Sequence, residues 1–161
     1  MKEKPGDPFG PKEESETFPT DFPPELKYTY QHLWIDTVSG MGRCGITEFL
    51  THQIFLVLSL ELPEKGLEIS AGEVIASIWA LTESMEEFTV SLFSPVSGVI
   101  THVNEKLQDK LLRSAQLELI QEDPYGEGWL FVIQLSRSAE NEAEELMDAP
   151  AYQQFVQSIV S

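Results

Sequence analysis

The stretch that decides the fold is residues 69–98, which read ISAGEVIASIWALTESMEEFTVSLFSPVSG. It contains two apolar segments, residues 73–81 and 88–93, that are separated by a short polar run and bounded by Gly, Ser and Pro. Both segments are rich in β-branched and aromatic residues, which favour β-strands when turn-forming residues enclose them. This part of the chain is therefore predicted to form two consecutive strands.

Similar short apolar runs lie on both sides of this stretch. We expect further strands around residues 28–35, 44–46, 55–60, 98–103 and 129–135. One helical turn is expected over residues 47–53, with Thr47 as the candidate N-cap. Strands at this spacing predict a small barrel or sandwich. After Ser138 the apolar period changes to that of a helix, so two C-terminal helices are expected, the second beginning at Pro150.

Residues 1–25 differ in composition from the rest of the chain. They contain six of the ten prolines, among Gly, Ser, Thr and charged residues. Such a segment offers too little apolar surface to offset the entropy lost on ordering. We expect a Pro-rich acidic tail over residues 1–25, disordered, followed by one domain over residues 26–161.

The charge balance excludes several classes of partner. The 161 residues include 10 Lys and Arg against 27 Asp and Glu, a formal net charge of −17. Because like charges repel, we expect no binding to nucleic acid and none to anionic membranes. No apolar run approaches the roughly 18 residues that span a bilayer. Because residues 1–5 contain no apolar segment, we expect no secretory signal there. The single cysteine, Cys44, excludes an intramolecular disulfide, and a cytoplasmic location is expected.

The sequence has no recognisable catalytic or metal-binding pattern. Its three histidines, His32, His52 and His102, are far apart and lack the spacing of metal ligands. It contains no nucleophile elbow, phosphate-binding loop or dinucleotide fingerprint. Carboxylates are so abundant that no acid–base pair stands out. We therefore expect no enzyme, no catalytic residue and no metal site.

Several short motifs nevertheless occur in one order along the chain. They are Leu26-Lys27-Tyr28-Thr29, His32-x-Trp34, Gly45-Ile46-Thr47-Glu48, Leu62-Pro63-Glu64-Lys65-Gly66, Ile69-Ser70-Ala71-Gly72-Glu73, Glu83-Ser84, Ser94-Pro95-Val96-Ser97-Gly98, Pro124-Tyr125-x-x-Gly128-Trp129-x-Phe131 and Leu146-x-Asp148-Ala149-x-Ala151-Tyr152. Together they resemble the H protein of the glycine cleavage system, a lipoyl-domain carrier. The likeness covers about residues 22–160 and leaves out only the tail.

This resemblance implies a mostly β fold, a barrel-sandwich hybrid of two small sheets with C-terminal α-helices. In the family, a hairpin displays a lysine that carries lipoate. The lipoyl arm takes an aminomethyl group from glycine decarboxylase, passes it to the aminomethyltransferase and is reoxidised by dihydrolipoamide dehydrogenase. The protein supplies display and protection, since the cofactor carries the chemistry.

The chain departs from the family at that hairpin. The family reads Glu-Ser-Val-Lys and then Pro-Val-Ser-Gly, whereas this chain reads Glu83-Ser84-Met85-Glu86-Glu87-Phe88 before Pro95-Val96-Ser97-Gly98. The lysine position is Glu86 when counted from the left and Glu87 when counted from the right, because this loop is one residue longer. A carboxylate cannot form the amide that attaches lipoate, and no lysine lies between Lys65 and Lys106. We therefore expect no cofactor at the usual position.

Two functions remain open. The favoured one is a non-lipoylated homologue that acts as an interaction or regulatory module, with glycine-cleavage or lipoate-metabolism enzymes as its expected partners. The alternative is a working lipoyl and aminomethyl carrier that is modified at Lys65, Lys106 or Lys110. Lys65 lacks the Glu-Ser-x-Lys context of the family. Lys106 and Lys110 lie in a polar segment and are interpreted as solvent-exposed charges. No set of candidate catalytic residues supports a small enzyme on this scaffold. Biotin carriage is not supported either, because biotin would need the same missing lysine.

Overall fold

A computed structural model of the chain describes residues 21–107 and 117–160. The described strands are β1 (Lys27–Tyr28), β2 (Leu33–Val38), β3 (Met41–Ile46), β4 (Leu56–Glu61), β5 (Glu68–Ile69), β6 (Val74–Leu81), β7 (Glu87–Phe93), β8 (Gly98–Val103) and β9 (Phe131–Leu135). The helices are α1 (Glu48–Thr51), α2 (Leu119–Glu122), α3 (Ala139–Glu144) and α4 (Ala149–Val160), and a 3₁₀ turn covers Glu105–Leu107.

The strands form two antiparallel sheets. The larger sheet has the order β1-β2-β3-β9-β8-β5, and the smaller has the order β4-β6-β7. One cluster of buried side chains joins the sheets, with Ile78 and Leu92 from the smaller sheet and Ile100, Phe131 and Ile133 from the larger. The prediction of a mostly β barrel-sandwich hybrid with C-terminal helices is confirmed.

A second, aromatic cluster attaches the C-terminal helix α4 to the sheets. Tyr152 of α4 stacks on Tyr28 with ring centroids 4.7 Å apart, and Phe22 meets the edge of the same ring at 4.7 Å. Trp34 and Phe49 belong to this cluster as well. The core of the described chain thus includes residue 22, whereas residues 1–20 of the expected tail lie outside the described residues. The boundary at residue 25 stays a prediction.

Thr47 and Cys44 are both fully buried. Thr47 is the N-cap residue of α1, but its side chain makes no capping bond to the helix. The predicted N-cap position is thus confirmed, but the hydroxyl of Thr47 lies 2.8 Å from the hydroxyl of Tyr152 instead of bonding the helix. Cys44 is fully buried in β3, and burial raises the pKa of its thiol well above the usual range. That environment is typical of an unreactive, structural cysteine.

Candidate interaction site

The site in question is the hairpin formed by β6 and β7. Its register pairs Trp79 with Thr89, Ala80 with Phe88 and Leu81 with Glu87. Successive side chains of a strand point to opposite faces, and here Ala80 is buried in the core whereas Trp79 is exposed. The outer face of the hairpin therefore carries Trp79, Leu81 and Glu87.

A three-residue loop closes the hairpin. The amide of Thr82 donates to the carbonyl oxygen of Glu86 at 2.9 Å, and the amide of Met85 donates to the carbonyl of Thr82 at 2.9 Å. These bonds leave Glu83, Ser84 and Met85 at the tip. Met85 has a φ of 67°, the left-handed conformation that typically ends a three-residue hairpin loop.

The side chain of Thr82 holds this loop in place. Its Oγ1 accepts a hydrogen bond from the amide of Glu86 at 3.1 Å and lies 3.0 Å from Oγ of Ser84. Local bonds of this kind between side chain and backbone are typical of Ser and Thr in turns. The hairpin tip is therefore a defined structure in which the loop positions are fixed relative to the strands.

The two residues at the expected lysine position directly follow this tip, but in different settings. Glu86 follows the left-handed Met85 directly and lies outside the strand, whereas Glu87 is the first residue of β7, opposite Leu81. Both side chains are exposed. Oε1 of Glu87 accepts a hydrogen bond from the indole Nε1 of Trp79 at 3.2 Å. The choice between the two alignments stays open, and either position carries a carboxylate.

The electrostatic character of the hairpin follows from its sequence. Glu83, Glu86 and Glu87 place three carboxylates within five residues of the tip. Residues 66–105 contain no Lys or Arg at all, so no ammonium or guanidinium group from this stretch offsets them. The tip therefore presents a negative surface to any approaching molecule.

Exposed apolar side chains lie beside these carboxylates. Trp79 retains 43% of its accessible surface and Met85 retains 59%. Leu56 of β4 is paired with Leu81 and is also exposed, and the amide of the exposed Phe55 donates to the carbonyl of Leu81 at 2.8 Å. Sequence reasoning missed this surface. The nearly uniform apolar composition of residues 74–81 gave no signal that Trp79, unlike the buried Ile78 and Ala80, lies on the outer face.

The alternative lysines lie elsewhere. Lys65 is in the turn before β5, with its Nζ 3.7 Å from Oε2 of Glu105. Lys106 is in the 3₁₀ turn after β8 and forms an ion pair with Glu127. Lys110 lies outside the described residues. Of the two that are described, neither lies on the β6–β7 hairpin.

The histidines and acidic residues are the side chains that could serve as metal ligands. In the part of the chain that the structure describes, no group of three or more His, Cys, Asp or Glu side chains could hold a metal ion. His32 lies in the aromatic cluster, where burial lowers the pKa of its imidazole to about 4. Residues 21–107 and 117–160 also include no helix long and apolar enough to cross a bilayer.

Comparison with known proteins agrees with the geometry. The model of the glycine cleavage H-protein family matches residues 26–159. The chain is 40% identical over 129 residues to a glycine cleavage system H protein of Thermotoga maritima, which covers 80% of this chain and 94% of that protein. It is 34% identical over 133 residues to glycine cleavage system H protein 4 of Aquifex aeolicus, covering 83% of this chain and 70% of that protein.

The fold is similar to a solved structure as well. A crystal structure of a glycine cleavage system H protein from Mycobacterium marinum superposes with a TM-score of 0.65 at 28% sequence identity. The superposition covers 85% of this chain and 98% of that one. The likeness thus extends through both sheets and is not confined to one motif.

Proposed function

The chain belongs to the glycine cleavage H-protein family, and on that premise we propose that it is a non-lipoylated member that works as an interaction module. The observation that carries the proposal is a well-formed β6–β7 hairpin with a carboxylate at both positions where the resemblance would place the lysine. The loop is closed by the bond between Thr82 and Glu86, yet the candidate attachment positions are Glu86 and Glu87. An amide to lipoate needs an ε-amino nitrogen, which neither residue has.

The surroundings of the described lysines support the same proposal. Lys65 and Lys106 each face a glutamate of an adjacent turn and lie away from the hairpin tip. An attachment enzyme that recognises a lysine at the end of a β-hairpin would meet carboxylates here. We therefore propose that the protein carries no cofactor and catalyses no reaction of its own.

Such a protein would act through its surface. A domain with the fold of the H protein can bind the docking surface of a glycine-cleavage or lipoate-metabolism enzyme. Without a lipoyl arm, it would not transfer an aminomethyl group. We propose a regulatory or competitive role of this kind in the cytoplasm. Fold alone does not imply function, so the proposal depends on the altered hairpin and not on the sheets.

The first test is the intact mass of the full chain purified from its native host under lipoate-rich conditions. We expect the unmodified mass. A mass increase of one lipoyl group would contradict the proposal and would favour the alternative, a working carrier modified at another lysine. Peptide mapping, with Lys65→Arg and Lys106→Arg variants as controls, would then locate the modified residue.

The second test concerns the partner. Tagged full-length chain is added to a reconstituted glycine cleavage reaction that contains a lipoylated H protein. We expect the chain to lower the rate and a higher concentration of the lipoylated protein to restore it. The same chain should capture a glycine-cleavage or lipoate-metabolism enzyme from native lysate. No inhibition, together with no such enzyme captured, would contradict the regulatory role.

A further inference from the structure

We infer that the outer face of the β6–β7 hairpin docks an arginine-containing segment of a partner protein, with Trp79 and Glu87 as the central contact. This inference rests on the proposed function, because it assigns a surface and a partner chemistry to the interaction module. It concerns the exposed face of the smaller sheet, which is defined here as Leu56, Trp79, Leu81 and Glu87. We refer to these four residues as the outer patch.

The Trp79–Glu87 pair is already arranged to receive a planar cation. The indole Nε1 donates to Oε1 of Glu87 at 3.2 Å, which fixes the carboxylate beside the ring. A guanidinium can stack on an exposed indole face while donating to a neighbouring carboxylate. A lysine ammonium can pair with the carboxylate as a point charge, but it lacks the planar group that stacks on the ring. The pair therefore favours arginine.

The rest of the outer patch supplies an apolar contact next to that pair. Leu56, Leu81 and Glu87 lie side by side on β4, β6 and β7, since Leu81 is paired with both of the others. Trp79 is two residues from Leu81 on the same strand and points to the same face. Exposed aromatic and apolar side chains close together are typical of the centre of a protein docking surface.

The charge of the molecule selects the kind of partner. Residues 66–105 hold six glutamates and neither Lys nor Arg, and the whole chain has a net charge of −17. A second copy of the chain would bring the same negative face to the patch and would be repelled. A basic segment gains from the same field, both in affinity and in association rate. The occupant is therefore a basic partner segment and not a second copy.

The test uses a defined probe with the full-length protein. The probe is a six-residue acetylated and amidated peptide in which arginine alternates with leucine. Two matched peptides carry citrulline or lysine in place of arginine. Binding is followed by the NMR shift of the Trp79 indole N–H. We expect the arginine peptide to move this signal in a saturable way and the neutral citrulline peptide to bind at least about tenfold more weakly.

Variants test whether the arginine peptide binds at the outer patch. We expect Glu87→Gln and Trp79→Leu each to weaken binding of the arginine peptide about tenfold. For these variants binding is measured by calorimetry, because one of them lacks the indole signal. Glu68→Gln on β5 removes the same charge from the other sheet and should leave binding nearly unchanged. Thermal unfolding checks that each variant is folded.

Equal weakening by Glu87→Gln and Glu68→Gln would overturn the inference, because binding would then reflect only the overall negative charge. Binding of the citrulline or the lysine peptide as tight as that of the arginine peptide would overturn it as well. Either result leaves the proposed function standing if the intact mass is unmodified and an enzyme is still captured. A lipoylated mass, in contrast, contradicts the proposed function whatever the peptides do.

Discussion

The Nδ1 atom of His32 lies 2.8 Å from the hydroxyl oxygen of Tyr152, although 120 residues of chain separate them. The same hydroxyl lies 2.8 Å from Oγ1 of Thr47. His32 has a φ of 73°, a left-handed conformation that is uncommon for a residue other than glycine. One tyrosine on α4 is thereby connected to the turn after β1 and to the start of α1. The C-terminal helix is thus held by one buried and one partly buried polar contact as well as by ring packing.

The first prediction concerns the pH dependence that His32 produces. Burial lowers the pKa of its imidazole from 6.5 to about 4. Between these two values the unfolded chain binds a proton that the folded chain does not, so the free energy of unfolding should rise with pH across this interval. Above pH 6.5 the contribution of His32 should be constant. Urea unfolding over this range of pH measures the effect.

The control for this prediction is His32→Asn. Asparagine tolerates a left-handed backbone and does not titrate. Carboxylates also affect stability at acidic pH, so the informative quantity is the difference between the two proteins. We expect the variant to be less stable than the wild type at neutral pH and the gap to narrow on acidification from 6.5 towards 4. A gap that is independent of pH would show that His32 does not titrate as proposed.

The second prediction is that Tyr152→Phe destabilises the protein by about 1–3 kcal/mol. The ring and its stacking on Tyr28 are kept, but the hydroxyl that serves both His32 and Thr47 is lost. Thr47 is fully buried, so water cannot readily replace the missing bond. Tyr30→Phe is the matched control, because Tyr30 is 62% exposed and should tolerate the change. Equal unfolding midpoints for the two variants would contradict the prediction.

Local pattern was enough to predict most of the strands and the two C-terminal helices. Short apolar runs between turn-forming residues mark strands, and the helical period after residue 138 marks α3 and α4. The order of strands could not be read in this way, because β9 pairs with both β3 and β8 across long stretches of chain. The contact between the hydroxyls of Thr47 and Tyr152 could not be predicted for the same reason, because the two residues are 105 positions apart in the sequence.

The candidate site was predictable in part. The resemblance placed Glu86 and Glu87 on a hairpin, and the structure has both residues at the end of the β6–β7 hairpin. The bond between Trp79 and Glu87 was not foreseen. Residues 74–81 are almost entirely apolar, so the alternation that places Trp79 on the outer face is hidden in the composition. Only the pairing register shows which face each side chain occupies.

The third prediction concerns the close approach of β8 and β9 at Gly98. A Cβ atom at this position would clash with the backbone carbonyl of Gln134 and would lie 2.7 Å from Cγ2 of Ile133. Because backbone cannot move aside as a flexible side chain can, Gly98→Ala should destabilise the fold by about 1–3 kcal/mol. Urea unfolding measures the change. Ser91→Ala, at an exposed position on β7, should stay within about 0.5 kcal/mol of the wild type. A similarly small effect at Gly98 would mean that the two strands can separate without cost.

The fourth prediction restores an acceptor to the hairpin. Glu86→Lys recreates the spacing Glu83-Ser84-x-Lys and places the new amine just after the left-handed Met85, outside the strand. Glu87→Lys places it within β7, opposite Leu81 and beside the Trp79 indole. Because an attachment enzyme needs free access to the amine, we expect lipoate on the first variant and much less on the second. Each protein is incubated with lipoate and a lipoate-attaching enzyme, and intact mass reports the result.

Glu68→Lys on β5 serves as the control for this last experiment, since it makes the same charge change at an exposed site away from the tip. It should stay unmodified, as should the wild type. Preferential modification of Glu87→Lys would contradict the expected position and would mean that the extra loop residue precedes the acceptor. Modification of neither variant would show that the length of the loop, or the conformation at Met85, also prevents recognition. In that case the loss of the attachment site would lie in the shape of the hairpin as well as in one side chain.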